Sequence, residues 1–251
     1  MTRSFRGGLL LAASTLALMT HGSAARADAA GDKVLAAMDG ALNKAKTQYF
    51  EYDVINQEPG KSDRKLGLQV RLKGDKRFTE FTAPADMKGT KILIMSPTQM
   101  YVYLPAFGKV RRIASSVSDQ GFMGMTFSQD DLASQAYGVT YEAKIGAETP
   151  TDYKIVVTPK AGQTTPYAKL EITVGKAKML PSEIKYFNAA GTNVKTETRS
   201  GYTCEGDVCT PAELKMVDNT KGFASTKMIR TKWKVNEAMS DDLFSKRALG
   251  E

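Results

Sequence analysis

The chain has 251 residues and a formal net charge of +8, from 35 Lys and Arg residues against 27 Asp and Glu residues. This length fits a single all-β domain. Because the lysines are interspersed with acids and form no basic block, the charge does not indicate a nucleic-acid-binding protein, and we expect no nucleic-acid partner.

The first 27 residues have the pattern of a cleaved secretory signal peptide. Arg3 and Arg6 form a basic start, an apolar run extends over residues 8–19, and an A-x-A cleavage site ends at Ala27. The alternative is an uncleaved anchor, but the run is shorter than the ~20 residues of a spanning helix. We expect residues 28–251 to form one domain that is soluble in the periplasm. No cysteine stands directly after the apolar run, so no lipid anchor is predicted.

Cleavage would leave a mature chain of net charge +5 without histidine, because His21 and three arginines lie in the signal peptide. Without histidine, Ser-His and Cys-His nucleophile pairs and the commonest metal ligand are excluded. The adjacent acids Asp130 and Asp131 are typical of a helix start, where carboxylates complement the helix dipole. We therefore predict a protein that is not an enzyme and has no catalytic residue, no cofactor and no metal site.

The mature chain is predicted to begin with an amphipathic helix from Asp32 to Lys46, with Asp32 as its N-cap. Such a helix needs a surface on which to bury its apolar side. Its apolar residues recur at helical spacing: Val34, Leu35, Met38, Leu42 and Ala45.

Strand-like runs fill most of the remaining sequence. Between Leu66 and Leu72, apolar residues alternate with other residues, which is the period of a half-buried strand. About a dozen such runs follow one another with short turn signals, which predicts antiparallel neighbours. A single sheet of this length must curl or close. The predicted fold is mainly β: a single antiparallel meander curled into an incomplete (open) β-barrel, with the N-terminal helix and a short loop helix packing in its concave side.

One long segment interrupts the strands, over residues 114–135. Connections of this length in a compact domain are usually lids or binding loops. Ser128 and Asp131 have the spacing of a helix-capping pair, and methionine adapts to ligands of loose shape. The segment either forms a lid over an apolar cavity or completes the core beneath itself. Its large apolar residues are Phe122, Met123, Met125 and Phe127.

Tyrosines on a nearby strand are candidate pocket residues. Tyr101 and Tyr103 share one face of a predicted strand that ends at Leu104. Amphipathic tyrosines suit a pocket whose ends are wet, and ordinary sheet packing is the alternative.

Arg111 and Arg112 are candidate contacts for the loop or for a ligand. Neighbouring residues on a strand point to opposite faces, so one arginine is expected to be solvated and the other to face the concave interior. There it would hold the loop as a latch, through backbone carbonyls or Asp131, or meet an anionic headgroup. The alternative is a pair of arginines on the rim.

Cys204 and Cys209 lie five residues apart. In an oxidising compartment this spacing predicts a disulfide at a hairpin tip. A metal site would need two further ligands nearby, and none is evident.

Residues 81–132 share a pattern that extends beyond these single features. They contain, in order, F-x-x-P-A-D-x-K-G-T, Y-x-Y-L-P, R-R-I and G-F-M-G-x-x-F-S-x-x-D-L. This pattern resembles the LolA/LolB-like family of outer-membrane lipoprotein-sorting proteins. Two positions depart from the family: Tyr101 stands where tryptophan is usual, and Thr126 stands where aspartate is frequent.

The resemblance implies a half-barrel that carries the acyl chains of lipids or lipoproteins and is loaded by an inner-membrane transporter of the RND or ABC type. We expect a monomer that contacts membranes transiently. The alternative is a periplasmic sensor or adaptor that uses the same fold to bind a protein partner or transporter. The residues predicted to line the cavity and lid are Leu35, Met38, Leu42, Tyr101, Tyr103, Leu104, Phe122, Met123, Met125 and Phe127. The candidate latch or headgroup contacts are Arg111, Arg112 and Asp131.

Overall fold

The structure, a computed structural model, describes residues 1, 28–96, 98–113, 123–133 and 136–250. Apart from Met1, the predicted signal peptide lies outside the described residues, and so does Phe122 of the loop. Over the part of the chain that is described, none of the helices has the length and apolar character that a membrane-spanning helix requires.

The described residues form four α-helices and fifteen strands, with two 3-10 turns at Pro105–Phe107 and Asp241–Phe244. The helices are α1 (Ala29–Leu42), α2 (Gln129–Ala133), α3 (Tyr137–Thr140) and α4 (Lys246–Leu249). The strands are β1 (Thr47–Gln57), β2 (Arg64–Lys73), β3 (Lys76–Ala83), β4 (Lys91–Ser96), β5 (Gln99–Leu104), β6 (Lys109–Ile113), β7 (Tyr141–Glu148), β8 (Asp152–Pro159), β9 (Lys169–Gly175), β10 (Leu180–Phe187), β11 (Asn193–Ser200), β12 (Thr203–Glu205), β13 (Val208–Thr210), β14 (Glu213–Asp218) and β15 (Ala224–Val235).

Thirteen strands form one antiparallel sheet in the order β6-β5-β4-β3-β2-β1-β15-β14-β11-β10-β9-β8-β7. A central β1–β15 pair joins two meanders, which end at the edge strands β6 and β7. Among the described residues these edges do not pair with each other, so the sheet remains open. The predicted fold, a mainly β, incomplete barrel with a few helices, is confirmed.

The sheet has two apolar faces. The face that carries the main core and α1 is called the concave face below, and the opposite one the convex face. In β4, Ile92 and Ile94 belong to the main core, whereas Leu93 belongs to a second cluster on the convex face. The C-terminal 3-10 turn and α4 cover that cluster with Phe244 and Leu249. The C-terminal segment therefore gives the first half of the sheet a core on both sides.

Helix α1 begins and ends earlier than its predicted bounds of Asp32 and Lys46. Its N-cap is Asp28, whose side chain accepts a hydrogen bond from the Ala30 N–H, and Leu42 is its last residue. Asp28 and Asp32 are both good N-cap residues, so the sequence did not distinguish them. The prediction of Asp32 as the cap was wrong, because its carboxylate instead accepts a hydrogen bond from the edge strand β7.

Glycine allows α1 to lie directly against this edge. A Cβ atom at Gly31 would lie 2.6 Å from the carbonyl oxygen of Ala143 in β7. The Ala143 N–H donates to the Asp32 carboxylate at 2.8 Å, and the Ile145 N–H reaches Asp28 at 3.4 Å. The helix thus occupies backbone donors that an edge strand would otherwise present to another chain.

Strands β12 and β13 form a separate hairpin outside the large sheet. Cys204 and Cys209 are directly opposed in its ladder and form a disulfide. The predicted disulfide at a hairpin tip is therefore present.

Candidate functional site

An apolar cavity lies between the concave face and the loop that interrupts the strands. Its floor comes from β2, β3, β4 and β15, and its roof from Met125 and Leu132 of the loop. Its volume of about 20 Å³ leaves room for about one water molecule, so the roof is closed onto the floor. The lining residues are Leu68, Val70, Arg77, Thr79, Ile92, Ile94, Met125, Leu132 and Met228.

The apolar side chains of the roof are buried. Met125 and Phe127 retain only 4% and 3% of their exposure, and Met123 packs against the main core while remaining partly exposed. Met123 and Gly124 both adopt positive φ, 54° and 79°, a conformation that costs a residue other than glycine free energy. The backbone thus turns sharply where the described part of the roof begins.

Neutral hydrogen bonds attach this turn to the floor. Asn56 on β1 donates to the carbonyl oxygen of Gly124, and the Thr226 hydroxyl on β15 donates to the Asn56 side chain. The Thr126 N–H donates to the Thr226 hydroxyl at 2.7 Å. Because Asn56 and Thr226 are buried, these bonds are shielded from water. Thr126, which stands where the family often has aspartate, contributes through its backbone instead.

A buried ion pair holds the other end of the roof. Lys195 on β11 lies 2.8 Å from the Asp131 carboxylate, and their side chains are 11% and 1% exposed. The Tyr167 hydroxyl donates to the same carboxylate at 2.8 Å, and burial together with this carboxylate raises the pKa of Tyr167. Ser128 and Asp131 exchange backbone-to-side-chain hydrogen bonds at the start of α2, which is the expected capping pair.

The cation that pairs with Asp131 is therefore Lys195 and not one of the predicted arginines. Arg111 and Arg112 are both exposed on β6. Arg111 lies 5.4 Å from the Phe107 ring centroid, and Arg112 donates to the Thr98 carbonyl oxygen at 2.8 Å. The prediction that one of these arginines holds Asp131 as a latch was wrong. Both arginines lie on the edge strand β6, and the Asp131 carboxylate pairs with Lys195 instead. The two arginines lie on the rim, which was the alternative.

The predicted tyrosines are on the wrong face for the cavity. Tyr101 and Tyr103 belong to the convex cluster under the C-terminal segment. Their neighbours on β5, Met100, Val102 and Leu104, pack with the main core instead. The prediction for the tyrosines was wrong because both faces of β5 are apolar, so alternation alone did not identify the concave face.

The helix residues predicted to line the cavity belong to the main core instead. Leu35 and Met38 are buried in the main core, and Leu42 packs against it. None of the three lines the closed cavity itself. They form part of the apolar interior on which α1 rests.

The charged groups on the concave face were not predicted from the sequence. Arg199 donates from Nε to the Glu197 carboxylate at 2.7 Å, and the Tyr186 hydroxyl donates to Glu197 at 2.7 Å. Burial and the Glu197 charge raise the pKa of Tyr186 well above its ordinary value. Charges at alternate positions of β11 resemble a solvated strand face, so only the tertiary structure identifies them as interior. Arg77 on β3 is a further such group.

A second, larger cleft lies beside the cavity, at the C-terminal end of α1. Its volume is about 430 Å³, and it is bordered by α1, the start of β1 and Leu72 of β2. Among the described residues, no group of three or more His, Cys, Asp or Glu side chains is placed to hold a metal ion.

A protein-family model, described as that of an uncharacterized protein, matches residues 73–251, which is more than half of the chain. The chain belongs to that family. Its fold is LolA-like, as the resemblance of residues 81–132 predicted. None of the curated proteins matches it significantly.

Solved structures have the same fold as this LolA-like protein. A DUF1329 family protein from Desulfovibrio piger has a TM-score of 0.81 at 24% identity, covering 88% of this chain and 98% of its own. A domain from Vibrio parahaemolyticus described as outer membrane lipoprotein-sorting has a TM-score of 0.77 at 21% identity, with the same coverage. A LolA superfamily protein from Nitrosomonas europaea has a TM-score of 0.71 at 16% identity, covering 87% and 98%.

Proposed function

We propose that this LolA-like protein is a periplasmic carrier that binds the acyl chains of lipoproteins or lipids and passes them between the inner and outer membranes. The observation that supports this most is the apolar cavity whose roof is a loop rather than a strand of the sheet. The relative from Vibrio parahaemolyticus, described as lipoprotein-sorting, has the same fold. The protein binds its cargo and does not transform it.

Loading requires the roof to move, because the closed cavity of about 20 Å³ cannot hold an acyl chain. Displacing Met125 and Leu132 exposes the apolar floor, and each methylene of an incoming chain that is buried there gains about 0.8 kcal/mol. The roof itself is held by the few bonds from Asn56, Thr226 and Lys195. Met123 and Met125 are flexible enough to repack against chains of different length. The buried wall formed by Leu35, Met38 and Leu42 would extend the opened cavity.

The remaining parts of this proposal concern location and partners. The signal-peptide pattern of residues 1–27 and the Cys204–Cys209 disulfide both suit the periplasm. We also propose that an inner-membrane transporter of the RND or ABC type loads the protein, that it contacts membranes transiently, and that it is a monomer.

A blocking substitution tests the cavity directly. Thr79 faces the cavity from β3 and is buried, whereas Thr82 lies on the same strand and is exposed. Thr79→Phe places a ring in the space of the acyl chain whether the roof is closed or open, so affinity for a fluorescent fatty-acid probe should fall at least tenfold. Thr82→Phe is the matched control and should bind as the wild type does.

The wild-type protein, purified from the periplasm and extracted with organic solvent, should release lipid that mass spectrometry detects. Absence of both co-purified lipid and probe uptake would contradict the carrier proposal and leave the sensor or adaptor as the function to test. Near-UV circular dichroism would show that Thr79→Phe is folded, since an inserted ring costs about 1–3 kcal/mol in a packed core.

A further inference from the structure

Arg77 places a cation at the wall of an otherwise apolar cavity. It lies on β3 with Thr79 and Phe81, which point to the concave face, while Phe78 between them packs in the convex cluster. The other cavity residues are aliphatic or methionine side chains, apart from Thr79. A guanidinium in such a setting needs partners for its five N–H donors.

Among the residues that the structure describes, no carboxylate pairs with this guanidinium. Its Nε is buried and has no hydrogen-bond partner, and Arg77 forms no ion pair among the described residues. Burial lowers the pKa of Arg77 to about 10, while the nearby Tyr52 raises it and Arg199 lowers it. Arg199, by contrast, is paired with Glu197 at 2.7 Å. Arg77 as a whole is partly exposed, but a buried N–H donor without a partner is costly to stability, and at the wall of a cavity it is a donor that a ligand can use.

We propose that Arg77 binds the anionic headgroup of a single-chain amphiphile whose acyl chain occupies the apolar cavity. The shared chemistry is an oxyanion, either the carboxylate of a fatty acid or the phosphate of a lysophospholipid. A guanidinium recognises both by paired N–H···O bonds, more strongly than it recognises a neutral hydroxyl. The inference rests on the proposed carrier function and adds the charge of its cargo.

The position of Arg77 determines at which end of the cavity the headgroup of the amphiphile lies. Arg77 is opposite Leu72 in the β2–β3 ladder, and Leu72 borders the cleft of about 430 Å³ at the end of α1. Leu68 and Val70 lie further along β2, beneath the roof. The headgroup therefore lies at the cleft, where water can reach it, and the chain extends under Met125.

Competition binding with the wild-type protein tests the proposal without any substitution. Palmitate, palmitoyl-lysophosphatidylglycerol and hexadecanol, each with a sixteen-carbon chain, are titrated against protein loaded with Nile red, which is uncharged. At least one anionic amphiphile should displace the dye tenfold more tightly than hexadecanol. The stronger of the two identifies carboxylate or phosphate as the preferred headgroup. Equal affinity for all three would overturn the role of Arg77.

Variants then assign the preference to one side chain. Arg77→Gln should weaken binding of the preferred anion at least tenfold and leave hexadecanol unchanged or improved, while Arg77→Lys should retain part of the preference. Arg71→Gln is the matched control, because Arg71 stacks over Tyr49 on the convex face, 5.2 Å from the ring centroid. An unchanged preference for the anion in folded Arg77→Gln would overturn the inference.

The two proposals fail in distinguishable ways. If the wild-type protein binds hexadecanol but has no preference for the anions, only the headgroup contact is wrong. If it binds none of the three amphiphiles, the carrier function is wrong and the headgroup contact with it.

Discussion

Asn56 connects the roof to the floor through a single uncharged side chain. It donates to Gly124 of the roof and accepts from Thr226 of the floor, so only the bond to Gly124 is lost when the roof lifts. Its removal should therefore destabilise the closed state more than an open, loaded one. Each such bond contributes about 1 kcal/mol, so Asn56→Ala should tighten apparent probe affinity about fivefold and speed loading.

Stopped-flow probe uptake measures this effect. Gln57→Ala is the control, because Gln57 is the next residue on β1 and is exposed. Slower loading in Asn56→Ala would show that the closed contact is not what limits opening.

The Asp131–Lys195 pair makes a different prediction, about stability. Lys195→Met would leave the Asp131 carboxylate buried with Tyr167 and Ser128 as partners but without its cation. Breaking a buried pair in this way costs about 3 kcal/mol. Lys185→Met removes a cation from a half-exposed pair with Glu183, where about 1 kcal/mol or less is expected. Urea unfolding of both variants gives the comparison, and equal losses would contradict the account of Asp131.

At the residue scale, the sequence predicted the burial of apolar residues better than the burial of charged ones. Met125 and Phe127 stand out because so many large apolar residues rarely fall in one loop, and both are buried. Nothing in the sequence distinguishes Lys195 and Arg77 as interior residues, because a lysine or arginine at alternate strand positions is the ordinary pattern of a solvated face. Only the curvature of the sheet makes those positions interior.

At the element scale, α1 protects an edge of the sheet. Asp32 accepts a hydrogen bond from the Ala143 N–H of β7 at 2.8 Å, and a bond to a charged group is worth about 1.5–3 kcal/mol. Asp32→Ala should therefore accelerate hydrogen exchange at the Ala143 amide by at least tenfold and lower the unfolding temperature. Lys33→Ala, at the exposed neighbouring position, should change neither.

Strand and helix periodicity predicted the elements well, but not which face of a strand points inward. On β5 the residues Tyr101 and Tyr103 alternate with Met100 and Val102, and both sets are apolar enough to be buried. The C-terminal residues Phe244 and Leu249 give the convex face its own core. That cover comes from residues more than a hundred positions away, so local sequence could not reveal it.

At the scale of the whole molecule, the sheet is open, with β6 at one edge and β7 at the other. The chain leaves β6 at one edge and reaches β7 at the other, so the segment of residues 114–140, which includes α2 and α3, connects the two edges. The roof residues Met125 and Leu132 lie in this connection and meet the floor strands β2, β3 and β4. The roof can therefore rise without breaking the ladder of any strand pair in the large sheet, which is the property a carrier needs.

Photolabelling tests the central claim that an acyl chain lies between this roof and the floor. Palmitate with a diazirine near its chain terminus is bound to the wild-type protein, irradiated, and located by peptide mass spectrometry. We predict labels on β2, β4 and the roof, at residues such as Leu68, Ile92 and Met125, and loss of these labels in Thr79→Phe. Labels confined to the convex cluster around Leu93 and Phe244, or none that free palmitate displaces, would contradict the account.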